Sequence, residues 1–235
     1  MTKAAPIVLA VDTPDLAIAK EWVKATDGII SVVKLGLEFY LTFGNDGVRQ
    51  IAEQTNSDIF LDLKLHDIPH TVSGAARAVS ALRPKYLTVH ASGGTAMVSA
   101  AAEAMPGTHI TGVTILTSLS EKDVTEIGFR SHALDSAVGL AKIAVAGGAR
   151  AIVCSPLEIL AVRAVVGEAI TIITPGVRPA DSSSSDDQVR TMTPREAIDR
   201  GANLVVIGRP ITSSYANGAA AMRERAIEIA EQINQ

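Results

Sequence analysis

Residues 58–64 are Asp-Ile-Phe-Leu-Asp-Leu-Lys, a short and mostly apolar run of the kind that forms a buried strand. A helical pattern follows it, beginning near Ile68. Its apolar side chains recur at helical spacing, at Val72, Ala75, Ala76 and Val79. The two segments together predict one strand–helix unit, with the strand covered by a helix on its outer side.

The same unit recurs along the whole chain. Seven of eight candidate strands precede a helical pattern that leads to the next strand, and a closing helix runs from about Gly218. Alternation of this kind implies parallel strands joined by right-handed crossovers. The candidate strands are Ile7–Val11, Ile29–Lys34, Asp58–Lys64, Tyr86–His90, His109–Leu116, Ala149–Cys154, Ala169–Thr174 and Asn203–Gly208.

Eight such units in 235 residues match the size of a closed (β/α)8 TIM barrel. We find no linker or change of composition that divides the chain, so we expect residues 1–235 to form a single catalytic domain. An open, doubly wound sheet stays as the alternative, because periodicity cannot detect closure. Against it, the first strand is followed by Asp12-Thr13-Pro14 and not by a glycine-rich dinucleotide fingerprint.

The composition excludes several classes of protein. The net charge is -4 and aromatic residues make up 3 %, which argues against a nucleic-acid partner. No window approaches 18 consecutive apolar residues, so we expect no membrane span. A single cysteine, Cys154, rules out an internal disulfide framework and fits a reducing compartment. The start of the chain lacks the pattern of a signal peptide, and we expect a cytoplasmic protein.

Charged residues occupy strand positions where a barrel interior should be apolar. Side chains alternate across a strand, so Asp62 and Lys64 point away from the helices and into the mouth of the barrel. The same alternation sends Asp12 after strand one and Lys34 from strand two to that end, and Asp67 follows Lys64 by three residues. A salt-bridge network that orders the mouth is the structural alternative. We favour function, because buried ion pairs add little stability and barrel enzymes keep catalytic groups at this end.

A polar segment after the seventh strand interrupts the periodic pattern. We expect a mobile loop over about residues 178–190, with several serines and aspartates and no helical or strand spacing. A surface excursion without function is the alternative. Its place at the carboxyl end of a strand favours a lid over the active site.

The third strand and the turn after it carry Asp62-Leu-Lys-Leu-His-Asp67-Ile68, a D-x-K-x-x-D-I pattern. This pattern matches the signature of the orotidine 5'-phosphate decarboxylase family, which the chain resembles. Further blocks stand in family order, and the ordered set is far more specific than the signature alone. They are Val11-Asp12, Val33-Lys34-Leu-Gly36, Val113-Thr-Ile-Leu-Thr117-Ser, Thr174-Pro-Gly-Val-Arg178-Pro, Asp186-Asp-Gln188 and Ile207-Gly208-Arg209-Pro210.

The resemblance implies a (β/α)8 carboxy-lyase that converts orotidine 5'-monophosphate to UMP and CO2, the last step of de novo UMP biosynthesis. The family reaction uses no cofactor and no metal. It leaves a carbanion at C6 that fixed charges must stabilise. By resemblance, Lys64 donates the proton and Asp62 lies beside the substrate carboxylate. Asp62 acts either by repelling that carboxylate or by orienting Lys64, and the sequence leaves both open.

The remaining roles also come from the resemblance. Lys34 and Asp12 are expected at the ribose hydroxyls and in the charge network, with Lys34 and Asp67 among the catalytic residues. The family is a homodimer with shared active sites, which implies that Asp67 and Thr71 reach the ligand from the partner subunit. The other expected substrate contacts are Ile68 in the signature, Thr117 at the pyrimidine, and Arg178, Gln188, Gly208 and Arg209 at the phosphate.

Two other functions fit parts of the pattern. Sugar-phosphate lyases such as 3-keto-L-gulonate 6-phosphate decarboxylase share the aspartate-lysine-aspartate strand. They use magnesium, with a carboxylate at the second-strand position that Lys34 occupies here, and a cation there should repel a metal. A nucleotide sensor without activity would keep the phosphate groups but lose the lysine or an aspartate. None of these is lost.

The histidines have structural interpretations. His90 ends strand four and should face inward with Thr88, near the site. An ordered, hydrogen-bonded ring is favoured there over a metal ligand, because no second ligand has suitable spacing. His66 and His70 flank the signature without a role that the sequence defines.

Overall fold

The computed structural model describes residues 4–179 and 192–234. Eight strands alternate with helices along these residues, as the sequence predicts. The strands are β1 Ala5–Ala10, β2 Ile30–Gly36, β3 Asp58–Leu65, β4 Tyr86–His90, β5 His109–Val113, β6 Ala151–Val153, β7 Thr171–Thr174 and β8 Leu204–Ile207.

The strands form one closed barrel in chain order, β1 to β8, and all neighbours are parallel. β1 closes it, because Ala10 lies opposite Lys34 of β2 while Ile7 lies opposite Val205 of β8. The (β/α)8 prediction is confirmed, and the open sheet is wrong.

Helices surround the barrel. Two connections contain an extra short helix, α5 before α6 and α9 before α10, which the sequence pattern did not separate. The helices are α1 Leu16–Thr26, α2 Leu37–Ala52, α3 Pro69–Val79, α4 Thr95–Ala104, α5 Glu121–Glu126, α6 Ala133–Ala146, α7 Ile159–Val166, α8 Pro194–Asp199, α9 Arg209–Thr212 and α10 Ala219–Asn234; short 3-10 turns cover Ser80–Leu82, Ala91–Gly93, Pro156–Glu158 and Ser213–Asn217.

Side-chain caps define the starts of α1 and α8. The Asp15 carboxylate accepts hydrogen bonds from the first-turn amides of Ala17 and Ile18, at 2.8 and 3.0 Å. Thr193 and Glu196 form a reciprocal capping box at the start of α8. Both caps satisfy amides that have no partner within the helix.

Several strands end earlier than their apolar runs. β5 stops at Val113, although the run was predicted to continue to Leu116. The reason is that Ile115 is buried against the cavity described below without belonging to the strand. The apolar run after Val113 therefore indicates that its side chains are buried, and it does not indicate that the strand continues.

The core has two layers. The larger cluster packs the outer strand faces against the helices. The smaller fills the barrel interior with one residue from each strand except β5, at Val8, Val32, Phe60, Tyr86, Ala151, Ile173 and Leu204. The charged residues stand above this interior plug, at the carboxyl ends of the same strands. Within the described residues, no helix is long and apolar enough to cross a membrane.

A close helix–strand contact lies at Gly112 of β5. A Cβ built on this glycine would stand 2.5 Å from the Cβ of Ala144 on α6 and 3.3 Å from Cδ1 of Ile152. Since both neighbours are fully buried, neither can move into solvent.

We expect Gly112→Ala to lower the free energy of unfolding by about 1–3 kcal/mol through overpacking. Gly139→Ala is the matched control, because its Cβ would meet nothing within 4 Å in α6. An alanine inside a helix should raise stability there by roughly 0.5–1 kcal/mol. Urea unfolding measures both, and a Gly112→Ala protein as stable as the wild type would contradict the packing.

Candidate active site

A cavity of about 310 Å³ opens at the carboxyl ends of the strands. Eight of the residues predicted for the site line it. They are Asp12, Lys34, Asp62, Lys64, Thr117, Arg178, Gly208 and Arg209.

Alternating charges link the first three strands at one side of this cavity. The Lys64 Nζ lies 2.8 Å from Oδ1 of Asp62, and the Lys34 Nζ lies 3.3 Å from Oδ2 of the same carboxylate. Lys34 also lies 3.7 Å from Oδ1 of Asp12. The side chains of Lys34 and Asp62 are only 12 % and 13 % exposed, whereas Lys64 is 30 % exposed toward the cavity. The result is a chain of four charges with Asp62 between the two ammonium groups.

The environment of Asp62 keeps it ionised. Burial acts to raise the pKa of this carboxyl, and it is the largest single effect. The charges of Lys34 and Lys64 and the hydrogen bonds from Lys64 and Thr88 together outweigh it, so the pKa is lowered below the ordinary 3.8. Asp62 is therefore a carboxylate at neutral pH.

The backbone of β3 deviates from a regular strand where it carries Lys64. Lys64 has a φ of 48°, in the left-handed region that non-glycine residues seldom adopt. Its amide donates to the Thr88 hydroxyl at 2.8 Å, and that hydroxyl donates to Oδ1 of Asp62 at 3.0 Å. Sequence alternation placed Thr88 on the inward face of β4 but gave no sign of this double contact.

Gly36, at the end of β2, provides room for the charges. It lies opposite Asp62 in the strand register. A Cβ at this position would lie 3.3 Å from Oδ1 of Asp12 and 3.5 Å from Nζ of Lys34. The approach to Asp12 is tight and the one to Lys34 is an ordinary contact, so the glycine mainly leaves room for the Asp12 carboxylate.

Apolar side chains form much of the remaining wall. They come from the inward faces of β3, β5, β6 and β8 and from the segment after β5. A wall of this kind excludes water and strengthens the electrostatic interactions of the charges beside it. The residues are Phe60, Val113, Ile115, Val153 and Val206.

The segments after β7 and β8 line the opposite end. Arg178 is half-buried, and its amide donates to the carbonyl of Met192 at 2.9 Å. A Cβ on Gly208 would lie 3.3 Å from that of Ala10, so this glycine brings the β8 segment close to β1. Arg178 and Arg209 give this end two guanidinium groups, which suit a phosphate.

Four predicted residues are not among those that line the cavity. Asp67, Ile68 and Thr71 are exposed at the start of α3. The Asp67 carboxylate accepts a hydrogen bond from the Ile68 amide at 2.6 Å. Gln188 lies outside the described residues, as do residues 180–190 of the predicted loop.

Two histidines stack beside the charged residues. The rings of His66 and His90 have centroids 5.3 Å apart. Burial, with the nearby charges of His66 and Lys64, lowers the pKa of His90 below the ordinary 6.5. In residues 4–179 and 192–234, no group of three or more His, Cys, Asp or Glu is arranged to hold a metal ion.

The fold and this cavity define a class: a (β/α)8-barrel enzyme whose acid–base groups stand at the carboxyl ends of the strands. The family model for the orotidine 5'-phosphate decarboxylase / HUMPS family matches residues 5–224. The chain belongs to this family.

Individual relatives agree with that assignment. The chain is 52 % identical to an orotidine 5'-phosphate decarboxylase of Thermobifida fusca, over 93 % of each chain. It is 44 % identical to one of Frankia casuarinae, over 92 % of this chain and 85 % of the relative. The crystal structure of an orotidine 5'-phosphate decarboxylase from Lactobacillus acidophilus matches with a TM-score of 0.81 and 32 % identity, over 98 % of this chain and 100 % of that one.

The lowered pKa of Asp62 predicts a pH dependence of stability. A carboxyl with a depressed folded-state pKa stabilises the protein above its unfolded value of about 3.8, and that contribution disappears as the pH falls through the folded-state pKa. We expect the urea midpoint to fall less steeply between pH 5 and pH 2 in Asp62→Asn than in the wild type.

The control is Asp46→Asn, which removes a carboxylate that is 82 % exposed on α2. If the urea midpoint falls equally steeply between pH 5 and pH 2 in Asp62→Asn and in the wild type, the ionised form of Asp62 does not stabilise the folded protein.

Proposed function

We propose that this chain decarboxylates orotidine 5'-monophosphate to UMP and CO2 without a cofactor. The observation that carries the proposal is the ammonium group of Lys64, held 2.8 Å from Asp62 at one side of a cavity whose other end presents two arginines. Family membership supports the substrate, since the relatives named above are orotidine 5'-phosphate decarboxylases.

The reaction needs a fixed positive charge near C6. When the bond from C6 to the carboxylate breaks, its electron pair stays on C6 in the plane of the ring, where no neighbouring carbonyl delocalises it. Preorganised charges then provide the stabilisation. Lys64 and Lys34 are two cations held by carboxylates beside a largely apolar wall, which is the environment in which such charges act most strongly.

Lys64 completes the reaction as the proton donor. Its ammonium group, held 2.8 Å from Oδ1 of Asp62, carries the proton that C6 needs when CO2 leaves. Transfer from Nζ to C6 gives UMP and a neutral amine, which regains its proton from water. The short ion pair supports the role of Asp62 in orienting Lys64, the second of the two roles left open by the sequence.

The arginine end of the cavity suits the 5'-phosphate. Barrels often bind phosphate at the segments after strands seven and eight, and these segments here carry Arg178, Gly208 and Arg209. Binding energy from a distant phosphate contributes to catalysis when it aligns the ring with the charged groups. We assign the ribose to Asp12 and Lys34 and the pyrimidine to Thr117, between the two ends.

We further propose a homodimer with shared sites, in which Asp67 and Thr71 of each chain complete the partner's cavity. These residues are exposed and do not line the cavity of their own chain. A large apolar side chain accompanies them, since Ile68 is 65 % exposed. A second copy that covers the start of α3 would bury Ile68 and bring Asp67 to the partner's cavity.

Four other assignments stand on resemblance and sequence pattern. We propose that Gln188 and the loop about 178–190 close over the phosphate. We also propose that Ile68 contacts the substrate, that residues 1–235 form one catalytic domain, and that the enzyme acts in the cytoplasm at the last step of UMP biosynthesis.

A magnesium-dependent sugar-phosphate lyase is the competing function. Its metal needs a carboxylate at the second-strand position. Here that position holds Lys34, whose ammonium stands 3.3 Å from Asp62 and 3.7 Å from Asp12, where it would repel a divalent cation. The charged residues therefore favour the metal-independent reaction.

Lys64→Ala should lower kcat for orotidine 5'-monophosphate by at least about 1,000-fold, because it removes both a cation and the proton donor. The fall in orotate absorbance, followed with chelator present, measures turnover. Lys24→Ala on the exposed face of α1 is the control and should match the wild type. Wild-type protein that turns over only with magnesium, or not at all, would contradict the proposed function.

Mixing two inactive variants tests the shared site. A dimer of one Lys64→Ala chain and one Asp67→Asn chain carries both defects in one site and none in the other. Equal amounts of the two variants, unfolded and refolded together, should regain about a quarter of wild-type activity. Half of the dimers are then mixed, and each mixed dimer has one intact site out of two. Each variant refolded alone is the control. A mixture no more active than the average of the two variants would show that Asp67 does not act across subunits.

A further inference from the structure

Thr88 stands in the middle of β4, fully buried, with its hydroxyl between two parts of the site. We propose that Thr88 is a positioning residue, whose hydroxyl holds the Lys64 backbone and the Asp62 carboxylate in the arrangement that aims the Lys64 ammonium into the cavity. The inference rests on the proposed function, for which Lys64 is the proton donor.

The strand register explains why this side chain is needed. Leu61 pairs with Leu87, but the next pairing along β3 joins Leu65 to Val89. Four residue steps on β3 thus oppose two on β4. The β3 residues between Leu61 and Leu65 therefore leave the regular hydrogen-bond ladder between the two strands. Asp62 and Lys64 both lie in this irregular stretch. Side-chain groups must satisfy the backbone polar groups that the ladder no longer pairs.

The backbone of Lys64 needs an external constraint. Apart from glycines, only Lys64 and Arg83 have a positive φ among the described residues. A left-handed conformation at a residue with a Cβ is unfavourable and persists where surrounding contacts enforce it. The hydrogen bond from the Lys64 amide to Thr88 Oγ1, at 2.8 Å, is a contact of that kind.

A single hydroxyl can bond to both groups, because one of them needs an acceptor and the other needs a donor. The Lys64 amide can only donate, so Thr88 Oγ1 accepts from it. The Asp62 carboxylate can only accept, so it takes the one hydroxyl proton, at 3.0 Å. Oδ1 of Asp62 is the same oxygen that faces the Lys64 ammonium at 2.8 Å. Thr88 therefore joins both ends of the Lys64 residue, the amide directly and the ammonium through Asp62.

Thr88→Val keeps the branched shape and removes the hydroxyl. We expect kcat to fall about 10- to 100-fold, because a small displacement of a reacting group has an effect of this size, while KM stays within about threefold. Thr88→Ser keeps the hydroxyl and should restore kcat to within about threefold of the wild type. Thr111→Val is the matched control, since Thr111 is fully buried opposite Thr88 on β5 and its hydroxyl donates to the carbonyl of His109, away from the charged residues of the site.

Steady-state kinetics on all four proteins, with urea midpoints alongside, decide between positioning and stability. The inference is supported if Thr88→Val loses kcat while Thr111→Val, at a similar urea midpoint, does not. Thr88→Ser should then recover the lost kcat. Wild-type kcat in Thr88→Val, or equal losses in the valine and serine variants, overturns it.

A second measurement does not depend on turnover. The 13C titration of the Asp62 carboxyl, assigned with Asp62→Asn, should shift to higher pH in Thr88→Val, because a hydrogen bond that favours the ionised form is gone. An unchanged titration overturns the inference. A wild-type protein that fails to decarboxylate the nucleotide would instead overturn the proposed function, and the titration then decides the role of Thr88 alone.

Discussion

The Asp62 carboxylate lies between two ammonium groups, with Lys64 at 2.8 Å from one oxygen and Lys34 at 3.3 Å from the other. The three groups are 12–30 % exposed, and they tolerate this burial because the carboxylate compensates both ammonium groups. The carboxylate fixes where both cations lie. The closed barrel makes this possible, because adjacent parallel strands bring their carboxyl ends to the same mouth.

The fold follows largely from sequence periodicity. The run 58–64 and the stripe after Ile68 have the spacing of a strand and a helix, and eight repeats match a barrel. Closure itself is a contact between Ile7 and Val205, nearly the whole chain apart, and no local pattern encodes it. Strand ends were less accurate because burial of Ile115 extends the apolar run of β5 beyond its ladder.

Part of the candidate site could likewise be predicted from the sequence, and part of it could not. Alternation along the first three strands predicted that Asp12, Lys34, Asp62 and Lys64 would reach one cavity. All four line it, although Lys64 departs from regular strand geometry. The register slip between β3 and β4 depends on how two strands pair, so the contact between Thr88 and the Lys64 amide has no signature in the sequence. The role proposed for Asp67 depends on contact with a second chain, and the pattern of a single sequence carries no information about that contact.

A crystal structure with UMP bound would show whether one cavity places the Lys64 ammonium at C6 and the phosphate at the segments after β7 and β8. We expect Nζ of Lys64 within hydrogen-bonding distance of C6, and the phosphate against Gly208 and Arg209. A nucleotide bound with its phosphate beside Asp62 and Lys34, or outside this cavity, would contradict it.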